Sequence, residues 1–147
     1  MTGLLVAVIP LTLFLMSIIQ LSLLWMGKGA VDAAAHLAAR KFARTARIDF
    51  HEARQAAFLE AYRNCQNRPG GSLASVAMTR LEIAGKEDRR TDHTFPGEPL
   101  CVRLTHGVEL IVPWVDRLLY SLSPGRMIRL GNRYYLMMQS ERWVTVE

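Results

Sequence analysis

Four histidines, two cysteines and one acidic pair are the side chains in this 147-residue sequence that could carry chemistry. His36, His51, His93 and His106 share no metal-ligand spacing, and Cys65, His93, Cys101 and His106 make only a loose set of candidate zinc ligands. The serines fall in no Gly-x-Ser-x-Gly turn and no glycine-rich phosphate loop is present, so the sequence encodes neither a serine nucleophile nor a nucleotide cradle. Glu87 and Asp88 stand beside Arg89 and Arg90, the pattern of a solvated charge cluster rather than of an acid and base held apart. The residue types therefore point away from an enzyme: no catalytic residue, metal or cofactor is expected.

Cys65 and Cys101 match no redox or metal spacing, which leaves a structural use. A disulfide between them would close a loop of about 37 residues and contribute about 4 kcal/mol through chain entropy. It fits a chain with an export-like front end and a compact part of only about 75 residues. Two separate buried thiols acting as small hydrophobes are the other possibility.

The elements that would position anything begin with an apolar run. From Leu4 to Met26 only Thr12, Ser17, Gln20 and Ser22 interrupt it, and no charged residue precedes Lys28. As a helix these 23 residues reach about 34 Å, enough to cross a hydrocarbon core of about 30 Å. A cleaved signal peptide has a shorter apolar region, a basic stretch in front and a small-residue site behind it, so the segment reads as retained. Pro10 loosens the helix locally, while Ser17 and Gln20 share a face that a partner helix could satisfy. The hydroxyls could equally bond back to their own helix.

The formal charge is +5 and the pI about 9.7, with every charge beyond the apolar run. Lys28, Arg40, Lys41, Arg44 and Arg47 crowd just after it, which by the positive-inside rule favours a cytoplasmic C-terminal part. The cysteine pair favours the opposite side, and a basic leader ahead of the first residue would reconcile the two. The basic residues on Arg40–Arg47 are spread around the helix and suit lipid headgroups better than nucleic acid, which is not expected as a partner.

No proline interrupts residues 27–68, and the stretch is rich in strong helix formers. The sequence predicts one helix of about 60 residues, divided into a transmembrane and assembly part (1–27) and a continuation outside the membrane (28–68), closed by Arg68–Gly71. Ala30, Ala34 and Ala38 recur every four residues, as do Ala35, Ala39 and Ala43; such stripes let another backbone approach closely. Residues 72–147 read as a small globular domain. Val76–Ala84 and Cys101–Val112 are expected strands, 114–122 a short helix, and 126–146 a hairpin around Gly131-Asn132. Residues 86–99 form a polar loop that could recognise a ligand. The fold class is α+β: a long N-terminal helix, membrane-spanning in its first half, with a small antiparallel sheet packed on its C-terminal half.

LLVAVIPLTLFLMSIIQLSLLW, with Pro10 at the proline, followed by AAHLAARKFA with Arg40 as its last arginine and by a VRLTHGVELIVPW strand, resembles the TadE/TadG-like minor pilins of tight-adherence pilus systems. The resemblance implies a structural subunit that stores its apolar helix in the bacterial inner membrane, holds its C-terminal domain in the periplasm, and trades lipid for other pilin-like subunits on assembly. Together with the spacing of the small and polar residues it makes Pro10, Ser17, Gln20, Ala30, Ala34, Ala35, Ala38, Ala39 and Ala43 the expected helix-packing positions. One departure matters: the family's acidic residue would fall at Leu4 or Leu5, and neither is a carboxylate. A subunit without that charge cannot pair with an N-terminal amine above it, which suits an initiating or capping position. A single-pass accessory subunit that steadies a larger membrane complex is the alternative.

Overall fold

In the computed structural model, which describes residues 2–66, 72–85 and 97–146, the chain builds two helices laid back on each other and a four-stranded antiparallel sheet. The first helix, α1, runs Thr2–Thr45 with Pro10 inside it. It is long and apolar enough to cross a membrane, and only 6% of its most apolar window is buried. The α+β class expected from the sequence is the one formed.

The expected single helix of about 60 residues does not form. Residues 46–49 turn the chain, and α2, Phe50–Gln66, packs back along α1. The turn has a chemical cause. Asp49 accepts the His51 backbone N–H at its carboxylate (2.7 Å), capping one of the otherwise unpaired donors at the start of α2. The energetic cause is burial. Ala53, Ala57 and Ala61 of α2 join Ala34, Ala35 and Ala38 of α1 in one core cluster, whereas a straight rod would leave both sets in water. Phe42 and Phe50 meet edge to face across the turn, with ring centroids 5.6 Å apart.

Ser72 then caps a one-turn helix, α3 (Leu73–Ala77), through a reciprocal pair of bonds with Ser75, so the first residues of the expected Val76–Ala84 strand are helical. The strand itself, β1, is Arg80–Ala84. It pairs with β2 (Pro99–Leu110), which pairs with β4 (Arg133–Thr145), which pairs with β3 (Met127–Leu130). A helix, α4 (Val115–Leu122), and one 3-10 turn link β2 to β3. Gly131 turns the β3–β4 hairpin with φ of 61°, a sign that only glycine takes without strain. The expected closing Arg68–Gly71 turn, and all but the end of the 86–99 loop, lie outside the described residues.

Side chains alternate along the strands, and the register assigns the two faces. Leu81 opposite Leu104 and Ile83 opposite Val102 face the helices and fill the core. Arg103 opposite Glu141 faces away, where the two make a salt bridge of 2.7 Å. α1 crosses the core face of β2 and β4, and glycine makes the crossing close. A Cβ on Gly27 would sit 2.9 Å from a Val108 methyl, so only a hydrogen lets helix and strand meet there.

Candidate assembly and membrane-facing site

α1 changes character at Gln20. Residues 6–19 stand clear of the rest of the chain, with side chains such as Val6, Leu11 and Phe14 all more than half exposed. Pro10 lies on this bare stretch. Ser17 is on it too, and its hydroxyl donates to the Leu13 carbonyl (2.8 Å), bonding back to its own helix rather than offering itself to a partner. Thr12 does the same to Ile9 at 2.8 Å. The polar interruptions are thus internally satisfied, and the surface they leave is apolar all round.

Gln20 is a correction. It is fully buried, and its Oε1 accepts the Val112 backbone N–H at 2.9 Å. The amide expected to reach a neighbouring helix instead ties the base of α1 to the end of β2. Its Nε2 has no hydrogen-bond partner among the described residues. A buried unpaired donor costs about 1–3 kcal/mol, so this joint is a weak point in the domain.

The alanine stripes are a second correction. Ala34, Ala35 and Ala38 are fully buried, Ala39 and Ala43 nearly so, and Ala30 is half-buried. Close approach of another backbone does occur at these positions, but the backbone is the chain's own. α2 and the sheet cover them, and no sister subunit can reach them without opening the core.

The cysteines are a third correction. Cys65 and Cys101 are both buried and are not joined in a disulfide. Strand alternation explains it. Cys65 packs in the core cluster with Leu100 and Val102, while Cys101, one residue out of phase, points to the other face of β2 with Arg103. The sheet stands between the two sulfurs. Burial pushes the Cys65 thiol up to about 11, so it stays protonated and unreactive at neutral pH. Neither does the loose zinc set converge: His106 Nδ1 is 2.8 Å from the Thr79 hydroxyl, and His93 lies outside the described residues. Among the described residues no three His, Cys, Asp or Glu side chains come together as a metal site would require.

Just above Gln20 the helix carries its first charge. Lys28 donates to Asp32 at 2.9 Å and to the Gln139 carbonyl at 2.8 Å, pinning α1 to β4. Between these two joints Trp25 is 84% exposed. At the same height lies a feature that sequence reasoning missed, although its residues were in view. Ile111, Trp114, Leu118 and Leu122 are all more than half exposed, beside the Gln20–Val112 bond. The spacing of Trp114, Leu118 and Leu122, four apart, was the available signal.

No family model, curated protein or solved structure matches this chain.

Proposed function

We propose that the chain is a single-pass membrane subunit of a pilin-like assembly, a minor pilin of a tight-adherence type pilus, acting structurally rather than as an enzyme. One observation carries the reading. Residues 6–19 project from a finished domain as a bare apolar helix whose own hydroxyls are already bonded. A helix apolar on every side is stable only in lipid or among other apolar helices, and this one has no cover among the described residues. Lipid holds it before assembly and neighbouring helices hold it afterwards. The packing surface is therefore residues 6–19, including Pro10 and Ser17, and not the alanine stripes.

The proposed location is the bacterial inner membrane with the domain in the periplasm, or outside the cell once assembled. With the cysteines separate, the outward orientation rests on the resemblance alone, against the basic residues from Lys28 to Arg47. An alkaline phosphatase fusion at the C-terminus tests it directly: activity supports a periplasmic domain, and inactivity with a cytoplasmic reporter active at the same site rejects it.

The missing carboxylate at Leu4 and Leu5 favours one second reading, an accessory subunit of a larger membrane complex that never leaves the bilayer. The intact mass of the protein purified from native membranes, with and without the prepilin peptidase, separates the two. A pilin-like subunit shows peptidase-dependent N-terminal trimming and copurifies with other pilin-like chains. An untrimmed chain in a stable membrane complex overturns the pilin reading in favour of the accessory one.

A further inference from the structure

The segment from Ile111 to Leu122 exposes large apolar side chains that packing among the described residues does not explain. Val115 is buried and Leu119 half-buried, which accounts for the inner side of α4. Trp114, Leu118 and Leu122 repeat at intervals of four on the outer side and are 71%, 60% and 70% exposed. A helix carrying one apolar stripe against its domain and another against nothing is expensive in water. The backbone adds to the cost, because Trp114 has φ of 75°, a region that a tryptophan rarely occupies.

Height along α1 identifies what covers the stripe. Val112 is tied to Gln20, and Leu24, Leu119 and Tyr120 all pack against the cluster of Leu110, Met127 and Tyr134, so α4 sits beside the stretch of α1 between Gln20 and Lys28. Trp25 lies in that same stretch, and amphipathic rings of this kind gather at the level of lipid headgroups. Gln20 is five residues below it, about 7.5 Å along the axis. A surface-lying helix buries its apolar face about 5–10 Å into the headgroup and acyl boundary, the same depth. The charge pattern agrees. Arg117 stacks over the Trp114 ring at 5.8 Å and Arg129 over Tyr134 at 5.7 Å, and both line a cleft of about 340 Å³ in which the two guanidiniums outnumber the one carboxylate, Asp116, a balance that suits an anionic headgroup.

We infer that Ile111 and the outer stripe of α4 lie in the membrane interface, so that the domain rests on the bilayer surface through α4 while α1 crosses it. The inference deepens the single-pass reading and depends on it. The fold supplies its own control, since Trp143 pairs with Cys101 about nine residues, or roughly 30 Å of strand, from the Leu110–Tyr134 end of the sheet.

The test uses the full chain in three single-tryptophan forms, the other two residues replaced by phenylalanine, in vesicles of phosphatidylglycerol and acyl-brominated phosphatidylcholine. Trp25 and Trp114 fluorescence should both be quenched severalfold more than that of Trp143. With Leu118→Glu and Leu122→Glu together, Trp114 quenching should fall to the Trp143 level while Trp25 stays quenched. Quenching of Trp25 alone in the parent chain would overturn the inference, leave the span intact and assign the stripe to a protein neighbour. Quenching of none of the three would reject the span and the inference together.

Discussion

Two stretches of α1 differ in side-chain size and polarity and meet opposite fates. Residues 6–19 are bare. Residues 31–46, just beyond Lys28, bury Val31, Phe42 and a series of alanines against α2 and the sheet. The difference lies in what the side chains allow. Bulky Leu, Ile and Phe distributed around the whole helix give no preferred side and suit a fluid or adaptable surrounding. Alanines every four residues give one flat side on which another helix of this chain can settle at short range. The lesson is that a small-residue stripe signals close packing but does not say with whom.

Breaking the covered stretch should have the largest effect. Replacing Ala35, Ala39 and Ala43 with leucine forces three side chains into a filled core, at about 1–3 kcal/mol each. Against a total stability of about 5–15 kcal/mol this should melt the domain. Thermal unfolding of the detergent-solubilised protein measures it. The matching change on the bare stretch, Phe14→Leu, should leave the melting temperature unchanged. If the triple variant melted like the parent, the intramolecular use of the stripe would be wrong.

Gly27→Val sharpens the same contrast at one atom, because its Cβ would lie 2.9 Å from the Val108 methyl. A loss of about 1–3 kcal/mol is expected, recovered in part by adding Val108→Ala. A double-mutant cycle with no coupling would mean that α1 does not cross β2 there.

His106 provides a pH-dependent comparison between core and surface. Burial lowers its pKa below the ordinary 6.5, so the folded domain resists a proton that the unfolded chain accepts. Its effect on stability is absent above about pH 6.5 and grows as pH falls from there towards the folded pKa, because over that window the unfolded state binds more protons. Denaturant melts at pH 7.5 and pH 5.5 should differ by less in His106→Gln than in the parent; identical differences would remove His106 from the account.

The smallest effect concerns the cysteines. Intact mass should not change on reduction, and Cys65, with its thiol pushed up to about 11, should alkylate slowly at pH 8 until the domain is unfolded. A gain of two hydrogens on reduction would mean that the sulfurs do meet.

Much of this architecture was legible in advance. The length of the apolar run gave a helix long and apolar enough to cross a membrane, the two-residue Gly131-Asn132 turn gave the hairpin, and period-two alternation gave β2. The chain reversal is not marked in the sequence by a strong breaker, because Ala46–Asp49 contains neither glycine nor proline. Asp49 with Glu52 three positions later is the capping pattern that marked it, but local capping cannot show that α2 would fold back. The candidate site was misplaced for a related reason. Gln20 and the alanine stripes are suited to close partners, and only the tertiary fold reveals that Val112, α2 and the sheet supply them. The cysteine pairing failed on one residue of strand phase, which sequence spacing does not record.

The central claim is that residues 6–19, and not the alanine stripe, meet other subunits. A photoreactive benzoylphenylalanine placed at Phe14, and separately at Phe42, and activated in native membranes tests it most directly. The account predicts intermolecular products from Phe14 and only internal α1–α2 products from Phe42. Intermolecular products from Phe42, with none from Phe14, would contradict it.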